Sequence, residues 1–188
     1  MFGDGLSRRA AVMELSYAYE TDSRLIEQAK KESERTRDLE AISEATQITD
    51  QTILVELINC GVRADSLHVL TLVPLVHVAW AGGHIERAER IAILAAAEQE
   101  GIRQDSPGYQ ILDGWLRKRP EATLFKTWKD YVSAIRLFVA PETYEALRQN
   151  TVTRARQVAE AAGGFLGFNR VSRSEELAIQ ELNQAFFE

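Results

Sequence analysis

The chain has 188 residues with 22 Lys and Arg against 28 Asp and Glu, which gives a net charge of −6. This length suits one domain with an appended segment, and an apolar content of 45% is enough to bury a core. The ordinary charged content of 27% argues against a globally disordered chain. The acidic balance argues against nucleic-acid binding, because clustered Lys and Arg bind phosphate backbones. The single Cys60 and the lack of a continuous apolar N-terminal run predict a cytoplasmic protein without a disulfide or a signal peptide.

The first 47 residues predict a charged helical arm. Residues 7–46 contain strong helix formers and no Pro or Gly, yet Leu25 and Ile26 are followed by few apolar side chains before Leu39. Such a thin apolar stripe does not suit a core-facing helix. We interpret this segment as a solvated arm, and the alternative is a helix that binds a protein partner or a second copy of the chain.

Residues 48–188 predict a compact helical bundle. Thr49 or Asp50 is the N-cap of its first helix, which stops at Gly61. The next segment is the most apolar of the chain, and we expect a core helix kinked at Pro74 that ends at the following glycine pair. Its most apolar part is about fifteen residues long. Because a membrane span needs roughly twenty, we predict no membrane span.

The later helices are also delimited by start and stop residues. A helix ends at Gly101, and the next one starts at Ser106 with Pro107 in its first turn. Helices then begin near residue 121 and at Pro141. The last helix begins with a capping box formed by Ser172 and Glu175. An apolar face is predicted on the helix near residue 121 by Leu124, Trp128, Tyr131, Ile135 and Phe138. No segment alternates with a period of two, so we predict an all-α bundle of about seven core helices.

One corner motif occurs twice in the predicted bundle. Val78-Ala79-Trp80-Ala81 precedes Gly82-Gly83, and Val158-Ala159-Glu160-Ala161 precedes Gly163-Gly164. After the glycines, Ile85 and Glu89 correspond to Val171 and Glu175, with Ala and Ile at the same later offsets. Glycines supply the positive φ that ends a helix, and a Glu in the next first turn interacts favourably with the helix dipole. The repeat predicts two related helical hairpins about an approximate two-fold axis.

The first copy resembles the signature of the TerB-like family, the all-helical domain of tellurite-resistance proteins and of the N-terminal part of some DnaJ-type co-chaperones. The family pattern is an Ala-rich helix end, Asp-Gly, a spacer, Ile or Val, a capping residue and Glu, and the chain reads AWAGGHIERAE over residues 79–89. The resemblance follows the helix order over residues 51–187. It implies a role in stress response and protein interaction, without defined catalysis.

The chain departs from this family pattern at the acidic positions. Gly82 stands where the family has Asp, and Glu86 stands where it has Ser, Thr or Asp. Of the acidic residues associated with metal binding in the family, only Glu89 and Glu175 are present. The resemblance therefore carries over the fold more fully than the metal site.

Histidines near the first glycine pair form a candidate metal site. His84 follows the glycines, His77 lies earlier on the preceding helix, and Glu89 comes after the corner. Imidazole and carboxylate groups bind divalent transition metals, so His77, His84 and Glu89, with Glu175, are the candidate ligands. The spacing differs from two His one helical turn apart, and the alternative is a solvent-facing turn histidine with a hydrogen-bonded core histidine.

Cysteine and aromatic residues offer two further candidates. Cys60 and His68 have the chemistry of a nucleophile and a base, but no orienting third residue accompanies them, which favours an inert buried thiol. Trp80, Trp115 and Trp128, together with the aromatic residues of the second glycine loop, either line a small-molecule pocket or belong to the core.

The glycine-rich loop at residues 163–170 contains Phe165, Leu166 and Phe168. Loops tend to lie at the surface, so these apolar side chains form either a docking surface or a lid over the bundle. No phosphate-binding loop is predicted, because a Lys-Ser or Lys-Thr ending is absent from this sequence segment.

The sequence thus predicts a non-catalytic, TerB-like helical domain that acts through protein–protein contacts. The contacts would be made by the N-terminal arm or by the 163–170 loop, with a protein partner or a second copy. We expect no cofactor and no nucleic acid. The alternative is a divalent-metal-binding stress protein or a metal-dependent enzyme that uses His77, His84 and Glu89.

Overall fold

The computed structural model describes the backbone of residues 4–162 and 171–188 and the side chains of residues 22–161 and 171–188. The chain divides into two units, Met1–Glu40 and Ala41–Glu188. Eight α-helices and no strand occur in the described residues, which confirms the all-α prediction. The helices are α1 (Asp4–Thr46), α2 (Gln51–Asn59), α3 (Val73–Ala79), α4 (Arg87–Gln99), α5 (Pro107–Arg117), α6 (Ala122–Ile135), α7 (Pro141–Ala162) and α8 (Arg173–Gln184).

The first unit consists of α1 residues, and its described side chains contact mainly solvent. Every residue from 22 to 37 is exposed, including Leu25 at 57% and Ile26 at 70%. Intrahelical ion pairs such as Lys31 with Glu27, at 3.2 Å, lie on this surface. Pairs of this kind add only a few tenths of a kcal/mol to a helix.

Helix starts and stops in the second unit follow the local chemistry of the sequence. The Asp50 carboxylate accepts a hydrogen bond from the Thr52 amide at 2.8 Å, and the Ser106 hydroxyl accepts one from the Tyr109 amide at 3.2 Å. Both bonds satisfy amides that the first helical turn leaves unpaired. In the turn that follows α3, Gly83 has φ +91°, a backbone conformation that residues with a Cβ rarely adopt.

The segment around Pro74 differs from the single kinked helix that the sequence predicts. Residues Ala64–Leu72 form a 3-10 helix, and α3 begins only at Val73, so Pro74 lies in its first turn. A proline inside a continuous α-helix would lack an amide donor and clash with the carbonyl four residues earlier. In a first turn neither problem arises, because those amides have no helical acceptor.

The stretch Ala64–Gly82 is long and apolar enough, by length and composition, to cross a membrane. However, 56% of it is buried inside the bundle. Core helices pass the same test of length and composition, and the division into a 3-10 helix, α3 and a second 3-10 turn (Trp80–Gly82) fits a core position. The stretch is therefore weak support for a membrane span.

The two predicted hairpins, α3 with α4 and α7 with α8, pack against each other in the core of the second unit. The helix α3 packs against α7 and α8, and α7 packs against α3 and α4. The first helix of each hairpin therefore contacts both helices of the other hairpin. Corresponding residues of the repeat are buried alike: Ala79 at 1% and Ala159 at 0%, Ile93 at 0% and Ile179 at 2%. This reciprocal packing is what two related hairpins require.

The helix α6 buries a face that differs in part from the predicted one. Leu124 and Trp128 are buried as expected, together with Phe125. Phe138 is 56% exposed, because α6 ends at Ile135 and the chain turns before reaching it. The prediction for Phe138 was therefore wrong, since helical periodicity applies only up to the end of the helix.

Candidate functional site

The described residues form a cleft between α3, α6 and α8 that opens to solvent. Its volume is about 570 Å³, within the range of small-ligand sites. The helix α3 contributes His77 and the following turn contributes Trp80, while α6 contributes Phe125 and α8 contributes Glu181. The connection between α5 and α6 contributes Arg119. This cleft is the candidate functional site.

Aromatic stacking fixes the floor of the cleft. The His77 and Phe125 rings are stacked with centroids 3.6 Å apart and planes 6° apart. Phe125 in turn stacks on Trp128 at 5.5 Å, and Trp128 meets the edge of Phe186 at 5.7 Å. The rings continue from the cleft into the core, so the position of His77 is determined by core packing.

One wall of the cleft is held by Trp80. Its indole Nε1 donates a hydrogen bond to the Trp115 carbonyl at 2.9 Å. Because α5 ends with Arg117, two residues beyond that acceptor, this bond ties the turn after α3 to the end of α5. Trp80 thus keeps a fixed orientation, which suits a wall against which a ligand packs.

His77 and Glu181 form a polar pair inside this apolar surface. Nε2 of His77 lies 3.2 Å from Oε2 of Glu181. Burial lowers the pKa of His77 below its ordinary value, Glu181 opposes this effect, and Arg119 and Lys129 add to it. The imidazole is therefore neutral near pH 7, and it donates its Nε2 proton to the carboxylate. Nδ1 is then the unprotonated nitrogen.

Three cationic side chains line the cleft, but they differ in their partners. Nζ of Lys126 lies 2.8 Å from the Asp130 carboxylate, and Nζ of Lys129 lies 3.3 Å from the Glu188 carboxylate. Arg119 is exposed and has no ion pair or hydrogen bond among the described residues. Arg119 is therefore the lining cation that is most available to an added anion.

The two glutamates of the repeat lie away from the cleft and share one environment. Glu89 is 1% exposed and Glu175 is 7% exposed. Each carboxylate accepts a hydrogen bond from the amide at the N-cap of its own helix, at 2.7 Å from Glu86 and at 2.6 Å from Ser172. The capping box predicted at Ser172 is confirmed, and α4 has an equivalent carboxylate bond.

These two glutamates also interact with each other. Burial raises the pKa of Glu89 to about 7, and the neighbouring Glu175 contributes to the rise, while the hydrogen bond from Glu86 opposes it. Oε1 of Glu89 is buried and has no hydrogen-bond partner among the described residues. Two carboxylates cannot hydrogen-bond without a proton, so the protonated form of Glu89 is the one that can donate to Glu175.

The predicted metal ligands lie in different surroundings. His77 is in the cleft with Glu181, His84 is exposed in the turn after Gly83, and Glu89 is buried beside Glu175. Within residues 22–161 and 171–188, no three His, Cys, Asp or Glu side chains form a group suited to a metal. The metal hypothesis for His77, His84 and Glu89 stays a prediction.

The structure also describes the predicted nucleophile and base, Cys60 and His68, and two of the candidate tryptophans. Sγ of Cys60 contacts the Thr127 hydroxyl at 4.0 Å, and burial raises the pKa of the thiol, which makes it a poor nucleophile. His68 lies against Gly108 of α5. Trp128 belongs to the core, whereas Trp80 lines the cleft. The predicted contact residues Phe165, Leu166 and Phe168 lie outside the described residues.

Sequence reasoning identified His77 and Trp80 but missed the residues that complete the cleft. Glu181 is 104 residues away from His77 in the chain, and no motif links the two. Phe125 directly follows the predicted face residue Leu124, and the only signal for Arg119 was its position before a helix-ending Pro120.

Comparison of the chain with protein-family models, with curated proteins and with solved structures gives no match.

Proposed function

We propose that this chain is a non-catalytic, TerB-like helical domain that acts through protein contacts in the cytoplasm, and that the cleft between α3, α6 and α8 receives its partner. The observation that carries the proposal is the cleft itself, with a volume of about 570 Å³ and aromatic, aliphatic and charged walls. The resemblance of residues 79–89 to the TerB-like signature suggests stress response as the process.

The build of the cleft supports a binding role. Its floor is backed by rings that reach the core, and Trp80 is held by its own hydrogen bond. A surface that is already in its final arrangement loses little side-chain entropy when a partner binds. A volume of this size accommodates one or two large side chains, which is how partner residues anchor in central pockets of protein interfaces.

Filling the cleft tests the proposal. Ala122 is exposed at the start of α6 and lines the cleft, so Ala122→Trp places an indole in it without disturbing the core. The adjacent Thr123 is also exposed but lines a separate groove beside Cys60. Thr123→Trp is therefore a matched control with the same added bulk. Both exposed substitutions should leave the free energy of unfolding within about 0.5 kcal/mol of the wild type.

The measurement uses the tagged full-length chain, cross-linked to its partners in the native cell. We expect Thr123→Trp to recover the same cross-linked proteins as the wild type and Ala122→Trp to lose at least one of them. If Ala122→Trp recovers every protein that the wild type does, the cleft is not the contact surface and the proposal is wrong.

A further inference from the structure

We infer that the cleft selects a peptide segment of the partner in which an acidic residue stands next to an aromatic one, with Arg119 binding the carboxylate and the aromatic surface formed by Trp80 and the His77–Phe125 stack binding the ring. This inference rests on the proposed function and adds the chemistry of the bound segment. Neither the sequence signature nor the family resemblance points to it.

One cationic side chain of the cleft lining, Arg119, has no partner among the described residues. Arg119 precedes Pro120 in the connection between α5 and α6, so its backbone is restricted while its guanidinium is exposed. Among the described residues it has no carboxylate partner, although the chain as a whole has a net charge of −6. A guanidinium binds a carboxylate through two parallel hydrogen bonds, and no internal pair has to be broken first.

The other two cationic side chains of the cleft lining are already paired with carboxylates. Lys126 and Lys129 already have carboxylate partners at 2.8 Å and 3.3 Å. Glu121 and Glu181 add two negative charges to the same lining. The cleft therefore suits a single carboxylate placed at Arg119, and it disfavours a polyanion such as a nucleic acid, whose phosphates would also meet both glutamates.

An aromatic surface belongs to the same lining as Arg119. Phe125 is 8% exposed and stacks on both the His77 ring and the Trp128 ring, so His77 lies on a rigid stack, with the Trp80 indole in the same lining. Burial lowers the pKa of His77, so its ring faces a ligand as a neutral group near pH 7. Aromatic side chains pack on such surfaces by offset or edge-to-face contact.

An acidic peptide is favoured over a small organic anion because the cleft opens to solvent and has further charged groups in its lining. A peptide bound at Arg119 can also contact the paired lysines on α6 in the same lining, whose side chains are exposed to different degrees, 71% for Lys126 and 26% for Lys129. A free aromatic acid would occupy the same Arg119 and aromatic positions without these additional contacts. The two sources are separated by the experiment.

The probes are the synthetic peptide acetyl-Asp-Phe-Gln-amide, its analogue acetyl-Lys-Phe-Gln-amide, and free N-acetylphenylalanine. Binding to the full-length chain is followed by tryptophan fluorescence, with Trp80→Phe to assign the signal, and by titration calorimetry. We expect the acidic peptide to bind and the Lys analogue to bind at least about tenfold more weakly, the ratio that one charge-assisted hydrogen bond supports.

Charge-reversal variants locate the interaction. Arg119→Glu should weaken binding of the acidic peptide about tenfold or more. Lys118→Glu makes the same change in net charge one residue earlier, outside the cleft lining, and should leave binding within about twofold, since exposed charges at a distance are screened. Arg119 and Lys118 are both exposed, so neither variant should unfold the bundle.

Three results would overturn the inference. These are equal binding of the two peptides, unchanged binding by Arg119→Glu, and binding of N-acetylphenylalanine as tight as that of the acidic peptide, which would indicate a small-molecule site. If partners are lost with Ala122→Trp while the acidic peptide fails to bind, the proposed function stands and only the ligand class is wrong. If Ala122→Trp retains all partners, the proposed function itself fails.

Discussion

Replacing Glu89 with Gln tests whether the two corner carboxyls share a proton. Burial raises the pKa of Glu89 from its ordinary value of 4.5 to about 7, with the Glu175 carboxylate as a further cause. This difference corresponds to about 3.4 kcal/mol at 1.36 kcal/mol for each pH unit. Because Glu89 is 1% exposed, solvent screening reduces that value little.

The sign of the effect follows from which state binds the proton more tightly. The folded protein holds the Glu89 proton up to about pH 7, whereas the unfolded chain releases it near pH 4.5. The stabilising contribution is therefore complete below pH 4.5 and is lost as the pH rises through about 7. Between pH 5 and pH 8, the wild type should lose about 2.5 kcal/mol relative to Glu89→Gln. The amide of the variant stays neutral over this range, and it can accept from the Glu86 amide and donate to Glu175.

Urea unfolding followed by far-ultraviolet circular dichroism at pH 5, 6, 7 and 8 measures the effect. Glu98→Gln, an exposed position on the same helix, is the control and should follow the wild-type profile. Parallel profiles of the wild type and Glu89→Gln over this range would refute the reasoning, because they would mean that Glu89 titrates like an exposed carboxyl.

Two further predictions concern the corners. Gly83→Ala should destabilise the protein by about 1 kcal/mol, because Gly83 has φ +91°, whereas Gly82→Ala at the neighbouring position without positive φ should be close to neutral; thermal unfolding compares the two variants, and equal midpoints would contradict the prediction. Ser172→Ala should cost about 1 kcal/mol by removing the cap of α8, and Ser172→Asp should restore most of it. Chemical unfolding measures both Ser172 variants, and a loss that Asp fails to restore would exclude capping as the cause.

Much of the helical architecture could be predicted because its signals are local. Asp50, Ser106 and Ser172 cap the helices that follow them, and each signal lies within three or four residues of the amide that it satisfies. The exception is the segment around Pro74. There the sequence shows only that an α-helix is interrupted, and both a kink and a preceding 3-10 helix satisfy that condition.

The cleft could not be predicted in the same way because it is assembled from distant parts of the chain. His77 has its hydrogen-bond partner on α8 and its stacking partner on α6. Both contacts depend on how the helices cross, and helical periodicity contains no information about crossing. The sequence indicates His77 as a candidate metal ligand, whereas in the structure it lies in an aromatic cleft and pairs with Glu181.

The glutamate pair shows why a predicted local motif can have a long-range role. A Glu in the first turn that only capped its helix would gain nothing from burial, because removal from water is unfavourable for a carboxylate. Glu89 and Glu175 are both buried, and each uses one oxygen for the amide at its own N-cap. Glu175 is one of the charges that raise the pKa of Glu89 to about 7, and the proton that Glu89 therefore keeps offsets part of the cost of burying it. The repeated glutamates therefore interact between the two hairpins, in addition to the bond that each makes at the N-cap of its own helix.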